Sequence, residues 1–433
     1  MSRYTLWKIV CLGIALVSAS TARVVGAGAP SFTATIDQLI RLGLRQNAEL
    51  GMYEAELAAA KGERMQSGLW KNPEFSAEYG SRRVSDNGGN LQGDGYTRSF
   101  AVMQSFEFPG KGSLRKAIAD KNIELAELGL QQFRQALGRK IRGLALKYVA
   151  ATAHADATAE ISGRCAALVK LLRERPLAGV PQLLELRVIE GSLSELQQSA
   201  KEFTQVREET RLELNALLGL PASQPLTVNE ELAPPPAAGM SLDALIMNGL
   251  SGNLQLKMRK VEVEKTAKQV SAAKLDIAPD FSVGPFFSQD KAGDLEENFG
   301  AAISVTLPLW NWNQGNIGVA EARRQQADIL LHDARRKVEA EIARCYRAYE
   351  LNRKQFAQMP RLAVGELREA ADLADRQYRT GAISVQLFLD VQRQFLSVQQ
   401  IRNNVVLEMW NNRLDLELLT GCQFPDANPE AAK

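Results

Sequence analysis

Two histidines, His154 and His332, four cysteines and one glycine-rich turn are the residues of this 433-residue chain whose types could support chemistry. A metalloprotease helix needs its histidines paired on one face, as in H-E-x-x-H, and His154 and His332 stand far apart in separate helical stretches. Cys11 lies at the front of an apolar leader. The remaining Cys165, Cys345 and Cys422 are odd in number and widely spaced, with no C-x-x-C, so they encode neither a disulfide framework nor a zinc site and read as small residues packed in helices. Gly110-Lys111-Gly112-Ser113 lacks the spacing of a phosphate-binding loop, and no G-x-S-x-G occurs. These patterns point away from an enzyme and toward no cofactor and no resident metal. A net charge of +2 and a mean hydropathy of -0.20 give no reason to expect nucleic-acid binding or disorder.

The elements that position the other residues emerge from an internal repeat. An apolar run from Ile9 to Val17 follows Arg3 and Lys8 and leads into small residues, the order of a secretory signal peptide over residues 1–29. Thr35 to Ser76 then aligns without a gap onto Ser241 to Ser282, and Gly179 to Gly219 onto Gly381 to Gly421. Two structural repeats result, 30–220 and 241–421, joined by a proline-rich linker at 221–240 and followed by a tail at 422–433. Each repeat reads as helix, two strands, long helix, turn and helix. Apolar residues at Ala126, Leu130, Phe133, Leu137, Ile141, Leu144, Tyr148, Ala151 and Ala155 step by three and four, which predicts a rod over Ser113 to about Arg175. The second rod runs from Gly318 to about Tyr378, with a kink or break expected at Pro360.

Alternation predicts strands at about 73–82, 98–108, 280–288 and 299–308, the third made irregular by Pro285. Their length suits a tilted bilayer span. Trp70, Trp310 and Trp312 collect at one end, as an interfacial girdle would, and long polar linkers, Val84 to Gly95 and Gln289 to Asn298, lie at the other. Hydrocarbon cannot satisfy an open sheet edge, so four strands must be completed by other copies: two chains supply eight strands, three supply twelve.

Over nearly the whole mature chain this order resembles the TolC-type outer-membrane efflux proteins. The motifs carrying the likeness are Asn72-Pro73-Glu74-Phe75, Phe106-Glu107-Phe108-Pro109-Gly110-Lys111, Leu307-Pro308-Leu309 with Asn313-Gln314-Gly315, and Tyr378-Arg379-Thr380-Gly381. Asn72-Pro73-Glu74 and Asn313-Gln314-Gly315 look most like the branch serving cobalt, zinc, cadmium or copper resistance. The resemblance implies a mainly α fold with a transmembrane β-barrel portion: a homotrimer with a 12-stranded barrel in the outer-membrane lipid of a Gram-negative bacterium and a long periplasmic α-helical tunnel. It also implies a passive duct fed by an inner-membrane RND-type pump through a periplasmic adaptor (membrane fusion) protein. Protein secretion of type I and drug efflux are alternative cargoes, and a soluble periplasmic coiled-coil scaffold is a third reading that the amphipathic strands oppose.

Position by position, the resemblance places a periplasmic gate at Tyr378, Asp390 and Glu185. Ile383 and Leu387 stand where the best-studied member of the family has an arginine and an aspartate, so a more apolar constriction is expected there. The helix turns at Gly179 and Gly381, with Arg379 and Ser384 beside the second, are the expected adaptor-docking end, each glycine suited to a left-handed cap.

Overall fold

The computed structural model describes residues 32–174, 179–236, 239–359, 363–422 and 424. The signal peptide and Pro360 lie outside them, as does all of the tail except Cys422 and Phe424. In chain order the elements are β1 (Phe32–Ala34), α1 (Ile36–Gln46), α2 (Ala48–Gln66), β2 (Glu74–Ser85), β3 (Leu91–Phe106), α3 (Lys111–Glu174), α4 (Val180–Leu217) and β4 (Leu226–Val228). They continue as α5 (Leu242–Gly252), α6 (Leu254–Leu275), β5 (Phe281–Lys291), β6 (Leu295–Val305), α7 (Gln314–Gln358), α8 (Ala363–Arg379) and α9 (Val385–Thr420).

The 64 residues of α3 contain no proline, and at about 1.5 Å of rise each they form a rod of about 96 Å. Its buried positions, Leu130, Leu137, Ile141, Ala145, Tyr148, Ala155, Ile161, Cys165 and Leu168, make one continuous apolar line. In the second half the equivalent path is split, α7 ending at Gln358 and α8 starting at Ala363.

Matching contacts recur in the two halves. The Asn47 amide donates to Leu217 O at 3.0 Å and the Asn253 amide to Leu419 O at 2.9 Å. A Cβ on Gly43 would sit 2.3 Å from Ile141 Cδ1, and one on Gly249 would sit 2.3 Å from Ile342 Cδ1, so both small helices cross their rods at a glycine. The Tyr148 hydroxyl donates to Leu226 O at 2.7 Å and the Tyr349 hydroxyl to Pro236 O at 3.1 Å. The linker between the halves is more than a helix breaker: β4 within it pairs in parallel with β1, and Trp410 Nε1 and Arg413 Nη1 donate to Ala233 O and Pro236 O.

The other four strands form one antiparallel sheet in the order β2-β3-β5-β6. They are longer than the alternation predicts, and the expected long linkers are largely part of the ladder, leaving only 86–90 and 292–294 as turns. Backbone pairing needs no apolar side chain, so the strands continue beyond the point where alternation of hydrophobicity stops. Pro285 does sit inside β5. Its pairing with Ala301 of β6 is intact, and the ladder to β3 lapses between Phe286 and Val283, where an absent N–H is tolerated.

Candidate periplasmic gate and pore

At the end of the rods remote from the sheet, one apolar cluster joins all four helix ends. It holds Ile161, Cys165 and Leu168 of α3, Leu186 and Ile189 of α4, Ala371, Ala374 and Tyr378 of α8, and Phe388 and Leu389 of α9. Burial pushes the Cys165 thiol up to about 11, so it packs as an apolar residue. The α8–α9 turn follows from Tyr378-Arg379-Thr380-Gly381. Gly381 takes φ 77, its N–H bonds Tyr378 O at 2.9 Å, and Ala382 N bonds Gln377 O at 2.9 Å, which satisfies two carbonyls of the last helical turn. Ser384 then caps α9 by accepting from Leu387 N. Gly179 differs from the left-handed cap expected of it: at φ 158 and ψ 179 it is the N-cap of α4, ahead of Pro181 in the first helical turn, and terminates no helix in αL.

Tyr378 and Glu185 meet. The tyrosine is 9% exposed, its ring stacks on the fully buried Phe388 at 5.2 Å, and its hydroxyl donates to Glu185 Oε1 at 2.7 Å. This bond ties the first repeat's α4 to the second repeat's α8. Ile383 rests half-buried against the same cluster. Asp390 and Leu387 do not join it: Asp390 is exposed and accepts only from Gln386 Nε2 at 3.1 Å among the described residues, and Leu387 is 51% exposed. Arg379 is paired with Asp375 at 2.9 Å.

Three further ties between the repeats at this end escape the motif reading, the longest being Arg368 Nη2 to Glu160 Oε2 at 3.6 Å. Arg164 Nη1 meets Asp372 Oδ1 at 2.6 Å, and Arg393 Nη2 donates to Glu195 Oε2 at 2.8 Å and to Ser192 Oγ at 3.0 Å. Nothing local marks them, since each partner is an ordinary charged residue on a helix surface. Glu190 is held between Arg173 and Arg187, whose hydrogen bonds keep its carboxyl below the usual range.

The strand register separates two faces of the sheet. One carries Phe75 and Tyr79 of β2, Phe100 and Val102 of β3, Phe281 and Phe287 of β5, and Phe299, Ile303 and Val305 of β6, nearly all solvent-exposed in the isolated chain. The other carries Ser76, Glu78, Arg82, Thr97, Ser99, Ser105, Ser282, Ser288, Asp290, Glu296 and Ser304. On that polar face Arg82 reaches past Gly95 to Asp290 and, at 3.8 Å, to Glu296. Trp70, Trp310 and Trp312 are all exposed beside the strand ends nearest the helices, Trp70 edge-on to Phe106 at 5.7 Å. Among the described residues no group of three histidines, cysteines or carboxylates could hold a metal, and no helix is long and apolar enough to cross a membrane. His154 is buried against Phe203, and His332 is exposed.

A sheet with one greasy and one polar face, set on helical rods that close together at their far end, defines a membrane channel subunit. Residues 245–422, which span the second repeat, match the family described as Outer membrane efflux protein. It is 25% identical over 354 residues to the nickel-cobalt-cadmium resistance protein NccC of Alcaligenes xylosoxydans xylosoxydans, covering 77% of this chain and 73% of that one. The fold is shared with CusC, whose structures concern folding and transmembrane channel formation, at a TM-score of 0.68 and 18% identity over 93% of this chain and 96% of that one. It is shared equally with the Campylobacter jejuni CmeC outer membrane channel, at 0.70 and 15% over 92% and 87%. The protein is an outer-membrane efflux channel component with its helical part in the periplasm.

Proposed function

We propose that this chain is the exit duct of a three-part efflux assembly for heavy-metal ions. Three copies close a twelve-stranded barrel, an RND-type pump of the inner membrane supplies the ions, and a periplasmic adaptor grips the helix turns near Gly179 and Gly381. One observation carries this reading: the sheet ends in two unpaired edges, β2 and β6, while its apolar face is bare. In lipid both conditions require neighbouring copies, because an unsatisfied edge costs several kcal/mol per backbone group. Transport of metal rests on the likeness to NccC, named for nickel, cobalt and cadmium resistance. The duct carries its cargo along the polar face and does no chemistry of its own.

Tyr378 and Glu185 form the polar part of the gate, with Ile383 supporting the turn from inside. Leu387 and Asp390, uncovered within one chain, face the next copy. Deleting the gene and measuring growth on nickel, cobalt, cadmium, zinc and copper alongside a drug panel tests the proposal. Sensitivity to one or more metals, reversed by a plasmid copy, is expected. Unchanged metal tolerance with a loss of drug tolerance or of protein export would overturn the cargo, and a natively folded monomer in detergent would overturn the duct.

A further inference from the structure

The gate's charged residues occupy matched heights in the two repeats. Arg164 and Lys170 lie fifteen and nine residues before Gly179; Glu366 and Asp372 lie fifteen and nine residues before Gly381. Both positions are basic in the first repeat and acidic in the second. Within the chain the upper residue of the first repeat meets the lower residue of the second, as Arg164 on Asp372. The remaining pair, Lys170 and Glu366, points elsewhere: both are exposed, and neither makes an ion pair with a described residue of its own chain.

Resting on the duct reading, in which repeats alternate around a closed ring, we infer that Glu366 of one subunit pairs with Lys170 of the next. This is the same contact with its polarity reversed. The open β6 and β2 edges above are to be joined by the same rotation, so the contact continues an interface the sheet already demands. The seam between subunits is nevertheless the weaker one. Six residues after the turn glycine, Glu185 in the first repeat is answered by Leu387 in the second, so the seam between subunits has no carboxylate there to accept a hydroxyl. Twelve and sixteen residues after it, Arg393 and Glu195 are answered by Gly191 and Ser397, which form no ion pair. The seam within a subunit is thus held by a tyrosine–carboxylate bond and three ion pairs, the seam between subunits by one ion pair and the apolar Leu387.

The test uses the full-length channel with its native cysteines replaced by alanine. Lys170→Cys with Glu366→Cys, treated with a short bismaleimide, should give covalent dimers and trimers on denaturing gels; Arg164→Cys with Asp372→Cys should link within one chain and leave the mass unchanged. In planar bilayers Lys170→Glu should raise the open probability about tenfold, as three weak surface pairs lost together would, and adding Glu366→Lys should bring it back. An intact detergent-stable oligomer that gives no inter-subunit product, or a charge swap that restores nothing, overturns the seam and leaves the duct standing. A folded monomer overturns both.

Discussion

Tyr378→Phe is the most discriminating perturbation of the gate. It deletes one oxygen and keeps the ring stacked on Phe388 at 5.2 Å, so packing of the helix-end cluster is preserved. What is lost is the 2.7 Å bond to Glu185. A hydrogen bond to a carboxylate contributes about 1.5–3 kcal/mol, and Glu185 is half-buried and takes water in exchange, which puts the loss at the low end, about 1–1.5 kcal/mol per subunit. In a ring of three opening together the losses add to about 3–4.5 kcal/mol, and at about 1.4 kcal/mol per decade the open:closed ratio rises by about two to three orders of magnitude. Single-channel recording in planar bilayers reads that ratio, and the melting temperature of the oligomer checks that the fold is retained. Tyr378→Ala is the wrong comparison, because it also empties a buried ring site at about 3–5 kcal/mol and confounds opening with unfolding. An open probability of the Tyr378→Phe channel that stays within threefold of the parent would refute the assignment of this bond to the gate.

Two predictions concern stability. Burial against Phe203 holds His154 below its ordinary value near 6.5, so the folded chain binds fewer protons than the unfolded one; stability is complete above that value and falls as pH drops below it toward the depressed folded pKa. Thermal melting in detergent between pH 8 and pH 5 should show this loss, and His154→Leu should flatten the curve. Gly249→Ala drives a Cβ to 2.3 Å from Ile342 Cδ1 and should destabilise by about 1–3 kcal/mol, while adding Ile342→Val, which removes that methyl group, should recover most of the loss by chemical denaturation.

The rods and the sheet were legible because each is written in a period. The α3 line from Leu130 to Ala155 and the alternation from Phe100 to Phe106 or from Phe299 to Val305 repeat often enough to outweigh any single residue. The upper parts of the hairpins were not legible. Leu91 to Gly95 has a strand's backbone and a loop's composition, since glycine, aspartate and glutamine pair through their backbones without burying anything. Tyr378 and Glu185 were found through the resemblance and prove to be bonded. Arg164, Asp372, Arg393 and Glu195 were missed because a cross-helix ion pair leaves no local pattern; only comparison of equal heights in the two repeats brings them out.

The two repeats also differ in the continuity of the helix that runs from the sheet toward the turn. The first repeat sends one unbroken helix from the barrel to the gate, and bending it means breaking backbone hydrogen bonds inside α3. In the second repeat α7 ends at Gln358 with its last turn closed by Met359, whose N–H bonds Gln355 O and Phe356 O, so its hydrogen-bond ladder is complete without α8. Tyr378 belongs to the divided half, and Glu185, its acceptor, to the continuous one. If Tyr378→Phe opens the channel as expected, opening is a displacement of α8–α9 away from the α3–α4 support. That displacement would sever the Tyr378–Glu185 bond, with the first repeat as strut and the second as lever.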